Sequence, residues 1–87
     1  MPRWHVATTE QFDRAFRKLD RAVQRRVMSY LEGLEKLDDP RQRRKGLSAN
    51  HVGVWRYRVG DYRILAQIMD DVLTVLAVSV GHRKVVY

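Results

Sequence analysis

Hydrophobic residues recur along this chain with two different periods, and the changes of period divide it into elements. Arg3 to Ala7 predicts a short opening strand. Thr8 followed by Gln11 has the spacing of a capping box, and Phe12, Ala15, Phe16 and Leu19 then follow the i, i+3, i+4, i+7 rhythm of an amphipathic helix. Asp20 can cap a second helix with an apolar stripe of Val23, Val27, Tyr30, Leu31 and Leu34, leaving Arg21, Arg25, Arg26 and Glu32 for the wet side. Asp38-Asp39-Pro40 stops it, because the residue before a proline avoids helical dihedrals.

A polar, basic connection from Arg41 to Asn50 follows. Beyond Gly53 the period falls to two, with Val54, Arg56 and Arg58 on one parity and Trp55, Tyr57 and Val59 on the other, so that the aromatic residues belong to the core. Gly60-Asp61 marks a hairpin, Tyr62 to Met69 a second strand, Asp70-Asp71 a turn and Val72 to Val80 an apolar third strand. The order β-α-α-β-β-β predicts an α+β fold. Two N-terminal helices pack on one face of a small, mainly antiparallel sheet, and the other face stays open.

Composition narrows the class. The 87 residues are 45% hydrophobic and 31% charged, which fits one globular domain over residues 1–87 and argues against disorder or a fibre. The absence of cysteine excludes a disulfide framework, thiolate catalysis and Cys-ligated metals. No apolar run is long enough to span a bilayer and no apolar segment follows Met1-Pro2-Arg3, so a cytoplasmic location and no membrane partner are expected.

Charge changes the picture most. Seventeen Lys and Arg against ten Asp and Glu leave +7, and no acid lies between Asp39 and Asp61, a stretch that holds Arg41, Arg43, Arg44, Lys45, Arg56 and Arg58. Nucleic acid or an acidic protein is the partner such a surface attracts. Arg56 and Arg58 share one strand face, where like charges cost stability unless something neutralises them. Arg63 can return beside Arg58 in the antiparallel partner, Gly81-His82-Arg83 ends the third strand, and Tyr87 closes the chain. His5, His51 and His82 lack metal-ligand spacing, and paired carboxylates are absent, so neither a metal nor another cofactor is expected.

The run Val54-Trp55-Arg56-Tyr57-Arg58-Val59-Gly60-Asp61-Tyr62-Arg63-Ile64-Leu65, with Ser79-Val80-Gly81-His82-Arg83 and the closing Val86-Tyr87, resembles the RelE toxins of bacterial type II toxin–antitoxin systems. The resemblance covers nearly the whole chain. It implies a ribosome-dependent, metal-independent endoribonuclease that enters the ribosomal A site, cuts mRNA there, inhibits translation and is neutralised by a cognate antitoxin that wraps it. By position, it implies a catalytic set of Arg56, Arg58, Arg63, Arg83 and Tyr87, with His82 nearby. Operator DNA would be met only through the antitoxin complex.

In RNA cleavage the 2′-hydroxyl is the nucleophile, and the protein supplies positioning, a base, charge stabilisation and an acid. On this reading Arg58, Arg63 and Arg83 hold the scissile phosphate, and Tyr87 is the base, its phenolate favoured by the surrounding cations. Arg56, His82 or water protonates the leaving oxygen, giving a 2′,3′-cyclic phosphate and a 5′-hydroxyl. The second basic cluster, Arg41, Arg43, Arg44 and Lys45, would dock on ribosomal RNA phosphates. Two other readings compete: a toxin of the ParE type, sharing the fold but poisoning DNA gyrase, and a non-catalytic module that binds nucleic acid through the same face.

Overall fold

In the computed structural model, residues 4–42, 48–51 and 54–85 are described. Strand β1 (His5–Thr8) leads into helices α1 (Glu10–Arg17) and α2 (Arg21–Glu35), then strands β2 (Ser48–His51), β3 (Val54–Val59), β4 (Tyr62–Met69) and β5 (Thr74–His82). The sheet order is β1-β5-β4-β3-β2. Only the β1–β5 pair is parallel. This is the expected α+β order with one addition. The short β2 pairs with β3 inside what the sequence suggested was plain connection.

Both helices lie on one face because their stripes and one parity of each central strand are apolar. Val23, Val27, Leu31 and Leu34 of α2 and Phe12 of α1 form a single core with Tyr57, Val59, Ile64, Ala66, Ile68, Val75, Ala77 and Val80. Asp20 caps α2 as expected, its carboxylate accepting from the Val23 N–H at 3.1 Å. The cap of α1 is Thr9 rather than Thr8: the Thr9 hydroxyl accepts from the Phe12 N–H at 3.1 Å, while Thr8 donates to the Asp13 carboxylate. Trp4 is buried, its indole N–H donating to the Asp38 carbonyl at 2.9 Å, and the buried Tyr57 donates its hydroxyl to Pro40 O at 3.2 Å. Among the described residues, no helix is long and apolar enough to cross a membrane.

Two local departures shape the functional end. Asp70–Val72 forms a 3-10 turn and Leu73 adopts the left-handed φ of 47°, so β5 starts at Thr74, later than expected, and runs on to His82. In β5, Ser79 faces Leu65 but Ala77 faces Ala66, leaving Val78 as the extra residue of a bulge. The bulge is anchored from α1: Thr9 donates its hydroxyl to Val78 O at 2.7 Å, and its N–H donates to Ala77 O at 3.1 Å. An extra residue inverts side-chain parity, so Val75 and Ala77 face the helices before the bulge and Val80 does so after it.

Candidate nucleic-acid interface

The open face is built by register. Arg58 lies directly across from Arg63, and Arg63 across from Gly81. The next row joins Ser48, Arg56, Leu65 and Ser79. The parity inversion at Val78 puts Gly81 in the Arg63 row and carries Arg83 toward the same side. Pairing runs one step past β5, the Arg83 N–H donating to Asp61 O at 2.7 Å, so Arg83 is fixed to the β3–β4 turn.

That turn gathers the arginines. Val59 pairs with Tyr62, so Gly60 and Asp61 are a two-residue loop, and Gly60 has the positive φ, 58°, that the first loop position of a II′-type hairpin demands. Arg63 folds back on the loop and donates through Nη1 to Gly60 O at 3.1 Å and to Tyr62 O at 3.0 Å. Arg83 Nε stands 3.8 Å from the Asp61 carboxylate, both side chains being more than half exposed. Such a wet, long ion pair holds Arg83 weakly and leaves its fork available to an anion. Arg58 is exposed. Arg56 is half-buried, and its buried Nε has no hydrogen-bond partner among the described residues. Opposite cations on an open sheet face cost stability, and here carbonyl dipoles and one carboxylate offset part of that cost.

His82 is turned elsewhere. Its register partner is Tyr62, on the parity of the helices, and the two rings meet edge to face at 5.4 Å. Its Nδ1 accepts from the Lys84 N–H at 3.2 Å, so the neutral imidazole carries its proton on Nε2. His82 thus shares the end of the sheet with Arg63 but not its face. Tyr87 lies outside the described residues.

The basic connection departs from expectation at Arg41. Its fork is bidentate on Asp70, with 3.1 and 2.8 Å contacts, Nη1 also reaches Asp39 at 3.3 Å, and the guanidinium sits 5.8 Å from the Trp55 ring centroid. The stretch is free of acids in sequence, but Asp70 reaches it across the fold. The hydrogen bond and charge of Asp70 raise the Arg41 pKa further, and the Arg41 hydrogen bond holds the Asp70 carboxyl below the ordinary range. Arg43, Arg44 and Lys45 lie outside the described residues.

One cation at this end, Arg26, belongs by its spacing to the wet side of α2. The Arg26 guanidinium, from α2, comes to rest over Gly60, where an added Cβ would stand 3.0 Å from Nη2. Sequence spacing carries no signal for that approach, which depends on how α2 crosses the sheet.

A family model described as "ParE toxin of type II toxin-antitoxin system, parDE" matches residues 3–87. Among solved structures, the chain is similar to one in the RelBE2 toxin–antitoxin complex from Mycobacterium tuberculosis, at 27% identity and TM-score 0.76 over 94% of this chain and 100% of that one. It is also similar to one in the intact RelBE toxin–antitoxin complex of E. coli, at 21% identity and TM-score 0.75 over 91% of this chain and 95% of that one. A doubly substituted E. coli RelE toxin in the free state shares the fold at TM-score 0.80 and 18% identity, over 98% of this chain and 88% of that one. No curated protein sequence matches.

Proposed function

This chain belongs to the ParE toxin family of type II toxin–antitoxin systems, and from that premise we propose that it is a ribosome-dependent, metal-independent endoribonuclease, cutting mRNA in the ribosomal A site. The observation that carries this reading is the gathering of Arg58, Arg63 and Arg83 at one hairpin end, with Asp61 the single carboxylate beside them among the described residues. A phosphorane gathers negative charge on its non-bridging oxygens, and guanidinium forks match that geometry. One preorganised contact of this kind lowers the barrier by about 3–4 kcal/mol.

In the proposed reaction the 2′-oxygen attacks the adjacent phosphorus and loses its proton to Tyr87, while the bond to the 5′-oxygen breaks. Arg63 exchanges two turn carbonyls for the phosphate by a side-chain rotation, and Arg83 turns its free fork to it from beside Asp61. Because the register turns His82 toward Tyr62, the proton for the leaving oxygen comes from water or Arg56. Arg56 offers a second use: on the same strand face as Arg58, its guanidinium can hold a neighbouring phosphate or ribose once RNA covers the face.

The inhibitory partner follows from the same premise. RelE chains crystallise with RelB antitoxins in the similar complexes, and this chain offers a groove of Phe16, Gln24, Met28 and Glu32 between α1 and α2 that suits an amphipathic antitoxin segment. Ribosome and mRNA would place the protein in the cytoplasm.

Induction in bacteria, followed by primer extension on a translated message, tests the reading. Cuts leaving 5′-hydroxyl ends are expected, and Arg83→Ala should lower cleavage ~10²–10³-fold with little change in folding or antitoxin binding. A 5′-phosphate on the downstream fragment, or equal loss of all three properties, would refute the mechanism. The family match to ParE toxins favours one second reading, gyrase poisoning; DNA breaks with intact messages would establish it.

A further inference from the structure

We propose that Arg26 extends the phosphate site around the tip of the β3–β4 hairpin and holds the RNA backbone phosphate next to the scissile one; this rests on the endoribonuclease reading above. Arg26 comes from the helix layer, yet its guanidinium covers the hairpin loop, with Nη2 at 3.0 Å and Cζ at 3.6 Å from the position of a Cβ on Gly60. Gly60 is required by its φ of 58°, and a side chain there would displace the tip of this guanidinium. Arg26 is exposed, and no described carboxylate forms an ion pair with it. The acid of the loop, Asp61, lies with Arg83 instead.

The hairpin tip consequently carries Arg58 and Arg63 on the open face, Arg83 at its edge and Arg26 over its back, against one carboxylate, Asp61, among the described residues. A line of cations that turns a corner suits a flexible polyanion with evenly spaced charges. Single-stranded RNA has that form, and arginine binds its phosphates without reading sequence. Beside Arg26, a shallow hollow lined by Ala22, Arg25, Ser29 and Tyr30 adds a second cation, Arg25, and the Ser29 side chain. The pair of exposed guanidinium-bearing residues at that spot favours an anionic backbone.

The test measures binding of a short, fluorescently labelled single-stranded RNA across a salt series, without ribosomes. Arg26→Gln should weaken binding several-fold at low salt and lower the salt slope by about 0.7, the value of one phosphate contact on a single strand. Arg26→Lys should keep the slope. Lys36→Gln removes the same charge at the far end of α2, roughly 15 Å along the axis, and should leave the slope unchanged. Urea midpoints for each variant separate folding from binding.

Slopes alike for Arg26→Gln and the unaltered protein, with a lower slope for Arg83→Gln, would overturn this proposal and spare the site reading. If neither substitution moved the slope, both would fall. Equal effects of Arg26→Gln and Lys36→Gln would show only a diffuse field and overturn the proposal. So would unchanged RNA binding with a weakened antitoxin complex, which would assign Arg26 to the protein partner.

Discussion

Removing the Thr9 hydroxyl should cost more than an ordinary helix cap, because one oxygen serves two elements. It accepts the Phe12 N–H at 3.1 Å and donates to Val78 O, the bulge carbonyl, at 2.7 Å. Losing the cap costs about 1 kcal/mol, and losing a partly buried hydrogen bond costs about another 1 kcal/mol. Thr9→Ala should therefore destabilise the fold by about 2 kcal/mol, or about 8–16 °C in Tm for a domain of this size. Thr9→Ser retains both bonds and should stay within about 0.5 kcal/mol of the starting protein. Thr9→Asp discriminates: aspartate is as good a cap as threonine, yet its carboxylate cannot donate and would face the Val78 carbonyl. Urea unfolding at constant m reads all three. Full stability of the aspartate variant would show that the bond to Val78 has no weight. An alanine variant within about 0.5 kcal/mol of the starting protein would refute the whole account.

Leu34 is fully buried between α2 and the sheet, so Leu34→Ala should lose about 2–5 kcal/mol in the same unfolding assay; a smaller loss would mean the core closes over the gap. The Arg41–Asp70 contact makes a pH prediction. Arg41 depresses the Asp70 pKa in the folded state, so the pair contributes stability that is present above the unfolded carboxylate value and lost as pH falls through the folded one. The stability gap between the protein and Asp70→Asn should be present at neutral pH and close below about pH 4, and a gap that widens in acid would contradict the contact. Both side chains are partly exposed and the effect should be small, fading in high salt.

Local signals in the sequence were sufficient for the scaffold and only partly for the site. The apolar stripe of α2, the Asp20 cap, the Gly60-Asp61 loop and the shared face of Arg56 and Arg58 all follow from spacing over a few residues, and the structure has each of them. Other features depended on residues distant in the chain. Thr8 and Thr9 carry the same hydroxyl, and what distinguishes them is a carbonyl 69 residues away from Thr9. Arg41 reads as a free cation until Asp70, 29 residues on, folds against it. Arg26 looks like any solvated helix residue because its neighbour over the hairpin is set by helix packing. Ser48–His51 has no strong alternation, and it becomes a strand by adding to the exposed edge of β3.

Val78 has a consequence for how relatives of this chain should be compared. A deletion of that one position would let Ser79 follow Ala77 in an unbroken ladder and leave Ser79, Gly81 and Arg83 on the open face; keeping Val78 without the bulge would instead swing them to the side occupied by the helices. Two homologues of equal strand length, only one of which bulges the surplus residue out, would share a fold and an arginine count while just one presents the full set of cations to solvent. What a strand does with one surplus residue, absorbing it in a bulge or letting it shift the ladder, decides which face its arginines reach.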